Sequence, residues 1–333
     1  MQPPKPSVQG LGLAFLGFAL FASHDALIKS LGGTYSVFQI IFFTTLISFV
    51  PMTVVMLADR KVDNFLPRHP WLILIRSGLM IAAMTGAFYA FTQLPMAEVY
   101  SILFTVPLII TVLSVPLLGE TVRAQRWAAV AVGLLGVMVV LRPGATELTL
   151  GHGAALLGAF ASALSNILVR KVGKAERSAV LILYPMLLSV IAMAAVMPQV
   201  YVPPKLGHLG MLAAVAVLSV IAQHMIIAAY RAAPAALVAP SQYSQIIWAA
   251  LFGALFFKEQ PDIYVGIGAS IIILSGVFVV WRESREHVSE SNPVLRSANI
   301  RADTGPSTRP KPLTREGRPP APGAEDTEPG SAP

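Results

Sequence analysis

Ionisable side chains inside long apolar stretches are the residues of this sequence that could do chemistry. Such a group costs about 2.5–3.5 kcal/mol inside a bilayer on insertion scales, so each one needs a partner, a substrate or a proton. Asp25 and Lys29 stand one helical turn apart in the first stretch. Two interpretations stay open: the two charges neutralise each other, or Asp25, beside His24, meets a positive substrate group or a proton.

Two later stretches each contain a stripe of polar side chains at helical spacing. A stripe that faced lipid would leave hydrogen-bonding groups unsatisfied, so both are expected to face protein or a water-filled cavity. They are either substrate contacts or polar contacts between helices, and Glu98 is also favoured as a first-turn acid by the helix dipole. The first stripe is Glu98, Ser101 and Thr105, and the second is Ser241, Gln245 and Trp248.

Three more polar side chains join the predicted substrate-binding residues. His224 lies in the middle of an apolar stretch, where it either hydrogen-bonds within the packing or transfers a proton. Tyr89 shares a helical face with Thr92, and Gln242 follows Pro240, which is predicted to kink its helix. No second histidine lies near enough in sequence for a metal site, so we expect no metal, no cofactor and no catalytic residue.

The elements that must position these residues form an internal repeat. Leu118-Gly-Glu120 returns as Phe257-Lys-Glu259 at an offset of 139 residues. Asn166 occupies the position of Asp25 in the second half. The change from a carboxylate to an amide indicates that the two halves diverged to play different roles at this site, and we count Asn166 among the candidate substrate-binding residues. At an offset of 141 residues the matching pairs are Gly10 and Gly151, Gly12 and Gly153, Gly17 and Gly158, Asp25 and Asn166, and Lys29 and Arg170.

The composition is that of a membrane protein. The apolar fraction of 55%, the charged fraction of 12% and the mean hydropathy of +0.68 lie outside the range of soluble domains. The apolar runs are each about 18–23 residues long, enough to cross a hydrocarbon core, and two sets of five are a transporter architecture. The predicted helices of this all-α protein cover residues 9–29, 36–57, 71–93, 96–117, 124–142, 152–171, 179–198, 208–230, 235–257 and 262–281.

The net charge of +7 indicates topology rather than nucleic-acid binding. With a cytoplasmic N-terminus, ten Lys/Arg fall in cytoplasmic loops and four on the opposite side, so the positive-inside rule places both termini in the cytoplasm. The cytoplasmic set is Arg60, Lys61, Arg68, Arg123, Arg126, Arg170, Lys171, Lys174, Arg177 and Arg231, and the outer set is Lys29, Arg142, Lys205 and Lys258.

The loops leave no room for a soluble catalytic or receptor module. Residues 282–333 are rich in Pro, Arg, Glu, Ser and Gly, and they are predicted to form a disordered cytoplasmic tail. An integral-membrane enzyme would need a catalytic cluster near one interface, and the sequence offers none. Small-residue faces at Gly133 and Gly136, and at Gly266 and Ala269, support either a homodimer or contact between the halves.

The motifs around Glu120 and Glu259 resemble the EamA-type branch of the drug/metabolite transporter superfamily. The first is followed by Gln125-Arg-Trp127, and the second by Gly266 and Ser275-Gly-Val277. The run Ala239-Pro-Ser-Gln-Tyr243 with Phe257-Lys-Glu-Gln-Pro-Asp262 is similar to a subgroup that includes S-adenosylmethionine uptake carriers and bacterial riboflavin carriers. The resemblance covers about residues 10–282. It implies two inverted five-helix repeats, at 9–142 and 151–281, with a small-molecule site in a central cavity, no ATP hydrolysis and residence in the cell inner membrane.

Three substrate classes stay open at this point. Aromatic faces with amide hydrogen bonds suit a planar, largely neutral heterocycle such as riboflavin. The same faces with Asp25 or Glu98 suit a cation such as the sulfonium of S-adenosylmethionine. Amino acids or other amines, moved in either direction, are the general alternative within the family, and the protein is expected to be a monomer or a homodimer.

Overall fold

Ten apolar stretches form the membrane crossings, and short polar or proline-containing loops separate them. The computed structural model describes residues 8–58, 66–119, 122, 124–144, 147–172, 176, 178–233, 238–260 and 262–286. The predicted tail therefore lies outside the described residues beyond 286, and Glu120 also lies outside them. The helices are α1 (Val8–Gly32), α2 (Val37–Ala58), α3 (Pro70–Gln93), α4 (Met96–Leu103), α5 (Val106–Leu118), α6 (Ala124–Leu141), α7 (Leu150–Val172), α8 (Ser178–Val200), α9 (Leu206–Ala232), α10 (Ser244–Phe257) and α11 (Ile263–Glu286).

The observed helices confirm the predicted all-α membrane fold. Six described segments are long and apolar enough to cross a membrane. Shorter apolar helices accompany them, and large apolar side chains such as Leu135, Leu157 and Phe256 are exposed on the outer surface, as helices in lipid require. The six long segments are Gln9–Gly32, Pro70–Gln93, Met96–Leu118, Leu150–Val172, Val180–Val200 and Leu206–Ala232.

Two crossings are broken at equivalent positions of the repeat. The fourth crossing divides into α4 and α5 at Phe104, and Pro107 stands in the first turn of α5, where it has no N–H to continue the helix. In the ninth crossing, Ala239–Tyr243 form a 3-10 turn with Pro240 in its first turn, at the element that the sequence predicted to be kinked. Phe104 and Tyr243 correspond at the offset of 139 residues. Different prolines therefore interrupt the same crossing in each half.

The first helix of each half packs on the third helix of the other half. A Cβ on Gly17 of α1 would lie 3.2 Å from the carbonyl oxygen of Ala222 in α9. A Cβ on Gly158 of α7 would lie at the same 3.2 Å from the carbonyl oxygen of Ala83 in α3. Gly17 corresponds to Gly158 in the repeat, and Ala222 corresponds to Ala83. The same helix contact therefore occurs once for each half. The halves are thus interlocked around a pseudo-two-fold axis.

The fifth helices of the halves, α6 and α11, pack against each other within the molecule. A Cβ on Gly136 would lie 2.9 Å from the carbonyl oxygen of Gly268, and the Ser275 hydroxyl donates to the carbonyl oxygen of Ala129 at 2.5 Å. The small-residue face of α6 is therefore used between the halves. On α11 the contact is made by Gly268. A Cβ on Gly266 would have no atom within 4 Å, so the predicted Gly266 is not part of this contact.

Candidate functional site

Asp25 is the centre of a buried polar cluster between α1 and α4. Its side chain is fully buried, and the Tyr100 hydroxyl of α4 donates to Oδ2. The ring of His24 brings Nδ1 to 2.8 Å from Oδ1. Burial of a carboxylate is costly unless hydrogen bonds or charges compensate it, and Tyr100 supplies one such bond. The sequence placed Asp25 and His24 together but did not single out Tyr100 as the contact of Asp25.

A row of aromatic rings leads from this cluster to the other half of the molecule. Ring centroids are 5.3 Å apart for Phe91 and Tyr100, 5.9 Å for Tyr100 and Phe104, and 5.0 Å for Phe104 and Tyr243. Phe104 and Tyr243 are repeat partners, so their edge-to-face contact lies at the pseudo-two-fold axis. The two broken crossings therefore meet in the centre of the molecule.

Two hydrogen-bond donors follow directly after this contact on α10. The Gln245 side chain is buried, and its Nε2 has no hydrogen-bond partner among the described residues. The buried Nε1 of Trp248, one turn further along, likewise has none in that part of the chain. The Trp248 ring contacts Phe15 of α1 edge to face at 5.3 Å and stacks near Phe252 at 6.1 Å. Both donors belong to the polar stripe that the sequence predicted.

Lys29 forms an ion pair with Glu259, which connects the two halves. Nζ lies 2.9 Å from Oε1 of Glu259 and donates to the carbonyl oxygen of Leu94 at 2.5 Å. The second carboxylate oxygen, Oε2, accepts the backbone N–H of Met96 at 2.9 Å. That N–H belongs to the first turn of α4, where the helix dipole favours an anion. The ion pair of Lys29 is thus made with a residue of the other half rather than with Asp25.

Glu98 also pairs across the halves. Nε2 of His152, at the start of α7, lies 2.8 Å from Oε1 of Glu98. The Thr149 backbone N–H donates to Nδ1 of His152 at 3.0 Å, so Nδ1 is the acceptor and Nε2 is the donor to Glu98. Sequence reasoning missed His152, since it lies 54 residues from Glu98 and its repeat partner is an ordinary apolar residue.

The other predicted site residues differ in burial and in their hydrogen bonds. The Ser101 hydroxyl is buried and donates to the Ala97 carbonyl oxygen of its own helix, and the buried Thr105 hydroxyl, between α4 and α5, donates to the carbonyl oxygen of Ile102 in α4. Asn166 is buried on α7. His224 is exposed, and Nδ1 donates to the Val220 carbonyl oxygen of its own helix. The half-buried candidates are Tyr89, Ser241 and Gln242.

No group of three or more His, Asp or Glu side chains is placed to hold a metal ion in the described ranges. The arrangement instead combines a buried acid, a row of aromatic rings and two donors at the meeting point of two broken helices. Broken helices at a repeat interface are where secondary transporters bind their substrates. Fold and site together define a multi-pass secondary transporter.

The chain belongs to the EamA-like transporter family. That family matches residues 8–142 and again residues 149–281, once for each half. A solved crystal structure, 18% identical, covers 86% of this chain and all of its own with a TM-score of 0.57, which supports the fold. The protein is accordingly a membrane transporter of small organic metabolites and not an enzyme.

Three kinds of relatives illustrate the range of the family. The S-adenosylmethionine uptake transporter of Rickettsia felis is 24% identical over 86% of this chain and 98% of its own length. The pseudopaline exporter CntI of Pseudomonas aeruginosa is 26% identical over 80% of this chain and 94% of its own. The riboflavin transporter of Vibrio cholerae is 28% identical over 60% of this chain and 67% of its own.

Proposed function

We propose that this transporter moves a planar aromatic heterocycle of the riboflavin kind by alternating access. The observation that supports this most is the row of rings Tyr100, Phe104 and Tyr243 at the pseudo-two-fold axis. Aromatic faces favour offset or edge contacts with a flat ring system, by about 0.5–1.5 kcal/mol each beyond area burial. Gln245 and Trp248 add donors beside that row.

The buried acid supports a second candidate. Asp25 gives one end of the site a carboxylate, and aromatic rings also attract cations. A sulfonium such as that of S-adenosylmethionine would meet both features, and this compound also contains a planar heterocycle. Amines and amino acids would use Asp25 without needing the ring row, so they fit the geometry less well.

For the membrane orientation we propose both termini in the cytoplasm of a bacterial cell and the inner membrane as the location. Of the four basic residues assigned to the outer side, Lys29 pairs with Glu259 and Arg142 pairs with Asp262. Ten Lys/Arg on the cytoplasmic side against these four on the outer side support this orientation by the positive-inside rule. The remaining proposals are a monomer or homodimer, with no nucleic-acid partner.

The test is transport by the purified full chain in proteoliposomes. We expect uptake of radiolabelled riboflavin, or of radiolabelled S-adenosylmethionine for the second candidate, with competition by the other compound only if both bind one site. Absence of uptake and of exchange for both compounds would contradict the proposed substrate class.

Asp25→Asn separates the two candidates. The amide keeps the shape that Asn166 has in the other half but removes the negative charge. We expect a loss of at least about tenfold in uptake of the cation, equivalent to about 1.4 kcal/mol, and little change for riboflavin. Ser270→Ala, an exposed residue on α11, is the matched control. Equal uptake of the cation by Asp25→Asn and the native chain would remove Asp25 from cation binding.

A further inference from the structure

We infer that Gln245 and Trp248 form a donor pair that binds an acceptor edge of a neutral heterocycle. The edge consists of a ring nitrogen or a ring carbonyl oxygen. This inference rests on the proposed function, because it assigns a role within the same central site. In addition, it assigns the hydrogen bonds that Gln245 and Trp248 donate to acceptor atoms of the substrate.

Both donors are buried without a protein partner in the described part of the chain. The Gln245 side chain is 3% exposed, and neither its Nε2 nor the Nε1 of Trp248 makes a hydrogen bond there. The large majority of buried side-chain polar atoms in native proteins have a hydrogen-bond partner. Two unpaired donors one helical turn apart, next to the axis contact of Tyr243, therefore indicate a partner that comes and goes. Water would take that place between transport cycles.

The chemistry of the donors selects an acceptor. An indole N–H can only donate, so no hydroxyl hydrogen or amine hydrogen of a substrate can satisfy Trp248. The carboxamide of Gln245 adds a second donor on the same helix face at i−3. Adjacent donors suit adjacent acceptors, such as those along the edge of a flavin or a purine.

The charges nearby favour a neutral acceptor over a carboxylate. Two mostly buried cations already have partners: Lys29 pairs with Glu259, and Nη1 of Arg76 donates to the carbonyl oxygen of Leu181 at 2.6 Å. A substrate carboxylate beside Gln245 would be buried against neutral donors only, which is far more costly than burying a carbonyl oxygen.

The experiment measures binding to the purified full chain in detergent. The probes are riboflavin, adenosine and, for each, a deaza analogue in which one ring nitrogen is replaced by C–H. The variants are Trp248→Phe, which keeps the aromatic stack, and Gln245→Met, which keeps the side-chain length. Trp127→Phe on α6, a residue that is 43% exposed, is the matched control. Elution as a single species in size exclusion shows which variants fold.

We expect each variant to bind the parent heterocycle about tenfold more weakly, equivalent to about 1.4 kcal/mol, while the control is unchanged. The loss should shrink for the deaza analogue that lacks the contacted nitrogen. If the native chain binds a probe and both folded variants bind it equally well, the donor pair is refuted and the proposed function stands. If the native chain binds none of the probes, the heterocycle class fails and this inference fails with it. Should one variant not fold, the other decides.

Discussion

At the scale of single residues, the pairing of Glu98 with His152 changes what this acid is expected to do. A carboxylate free in a cavity would contact substrate, and its removal would leave few buried groups unpaired. Glu98 instead accepts the Nε2–H of a mostly buried histidine whose other nitrogen is held by Thr149. Its first role is therefore to join α4 to α7.

Removing the acceptor at position 98 should lower stability. Glu98→Ala leaves Nε2 of His152 without its partner, at a cost of about 1–3 kcal/mol, whereas Glu98→Gln retains the acceptor oxygen and should cost less. We expect the apparent melting temperature in detergent to fall in the order native, Gln, Ala. Glu147→Ala, an exposed acid before α7, is the matched control. An unchanged melting temperature in Glu98→Ala would show that the contact contributes nothing.

Gln245 and Ser101 show what burial adds to a sequence pattern. Both belong to predicted polar stripes, yet the Ser101 hydroxyl is satisfied by the carbonyl oxygen of Ala97 in its own helix and the Gln245 amide nitrogen is not satisfied within the described chain. Serine and threonine can bond back to a helix carbonyl because their hydroxyls are short. Spacing alone does not separate these two outcomes. Sequence position likewise does not separate His224 from its neighbour Gln223: the structure shows Gln223 buried and His224 exposed.

At the scale of elements, the end of the molecule where α1 stops is held by polar contacts between the halves. Lys29 and Glu259 join α1 to the end of α10, and Glu259 also accepts the first N–H of α4. Gln39 of α2 exchanges two hydrogen bonds with the backbone of Val202, at 2.6 and 2.9 Å. In the proposed orientation this is the outer end, and these contacts must separate when the site opens outward.

Weakening the ion pair should favour the outward-open state. Glu259→Gln keeps an acceptor for the Met96 N–H and removes the charge that holds Lys29. The chain has no cysteine, so a single Ser101→Cys, buried on α4, reports opening by its reaction with an impermeant maleimide added outside. We expect several-fold faster labelling with Glu259→Gln than with the native glutamate. Lys258→Gln, next in the chain and exposed, is the control; equal rates for all three would show that the ion pair does not restrain opening.

Close contact between α3 and α7 depends on a glycine. A Cβ on Gly86 would lie 2.5 Å from the carbonyl oxygen of Ala154 and 3.0 Å from the amide nitrogen of Gly158, both backbone atoms that cannot move aside. Gly86→Ala should therefore destabilise the protein by about 1–3 kcal/mol through overpacking. Gly78→Ala on the same helix meets no atom within 4 Å and should be neutral or stabilising. Folded yield and melting temperature measure the difference, and equal values would disprove it.

At the scale of the whole molecule, the repeat predicted most of the fold. Ten crossings, two halves and a kink at Pro240 follow from hydropathy, motif spacing and proline chemistry, which are local properties of the chain. The partners of Lys29 and Glu98 depend on how the halves interlock, and local pattern holds no information on that. The sequence identified Glu259 only as the repeat partner of Glu120; its pairing with α1 and α4 required the three-dimensional arrangement.

The orientation of the whole molecule is testable with reporter fusions. Fusions after residue 60 and after residue 282 should both read cytoplasmic, because the ten-to-four distribution of Lys/Arg favours cytoplasmic termini. A fusion after Arg142 should read periplasmic and serves as the opposite control. A periplasmic signal at residue 60 or 282 would reverse the assignment, and with it the outer position of the Lys29 contacts.

The first helix of each half packs on the third helix of the other half, and this has a consequence for the order in which the helices can pack during synthesis. Gly17 of α1 receives its packing surface from α9, the eighth crossing to be made. Until then the face of α1 around Gly17 lacks this packing partner, although α1 precedes α9 in the chain. The N-terminal half therefore completes its packing only when the third helix of the second half is in place.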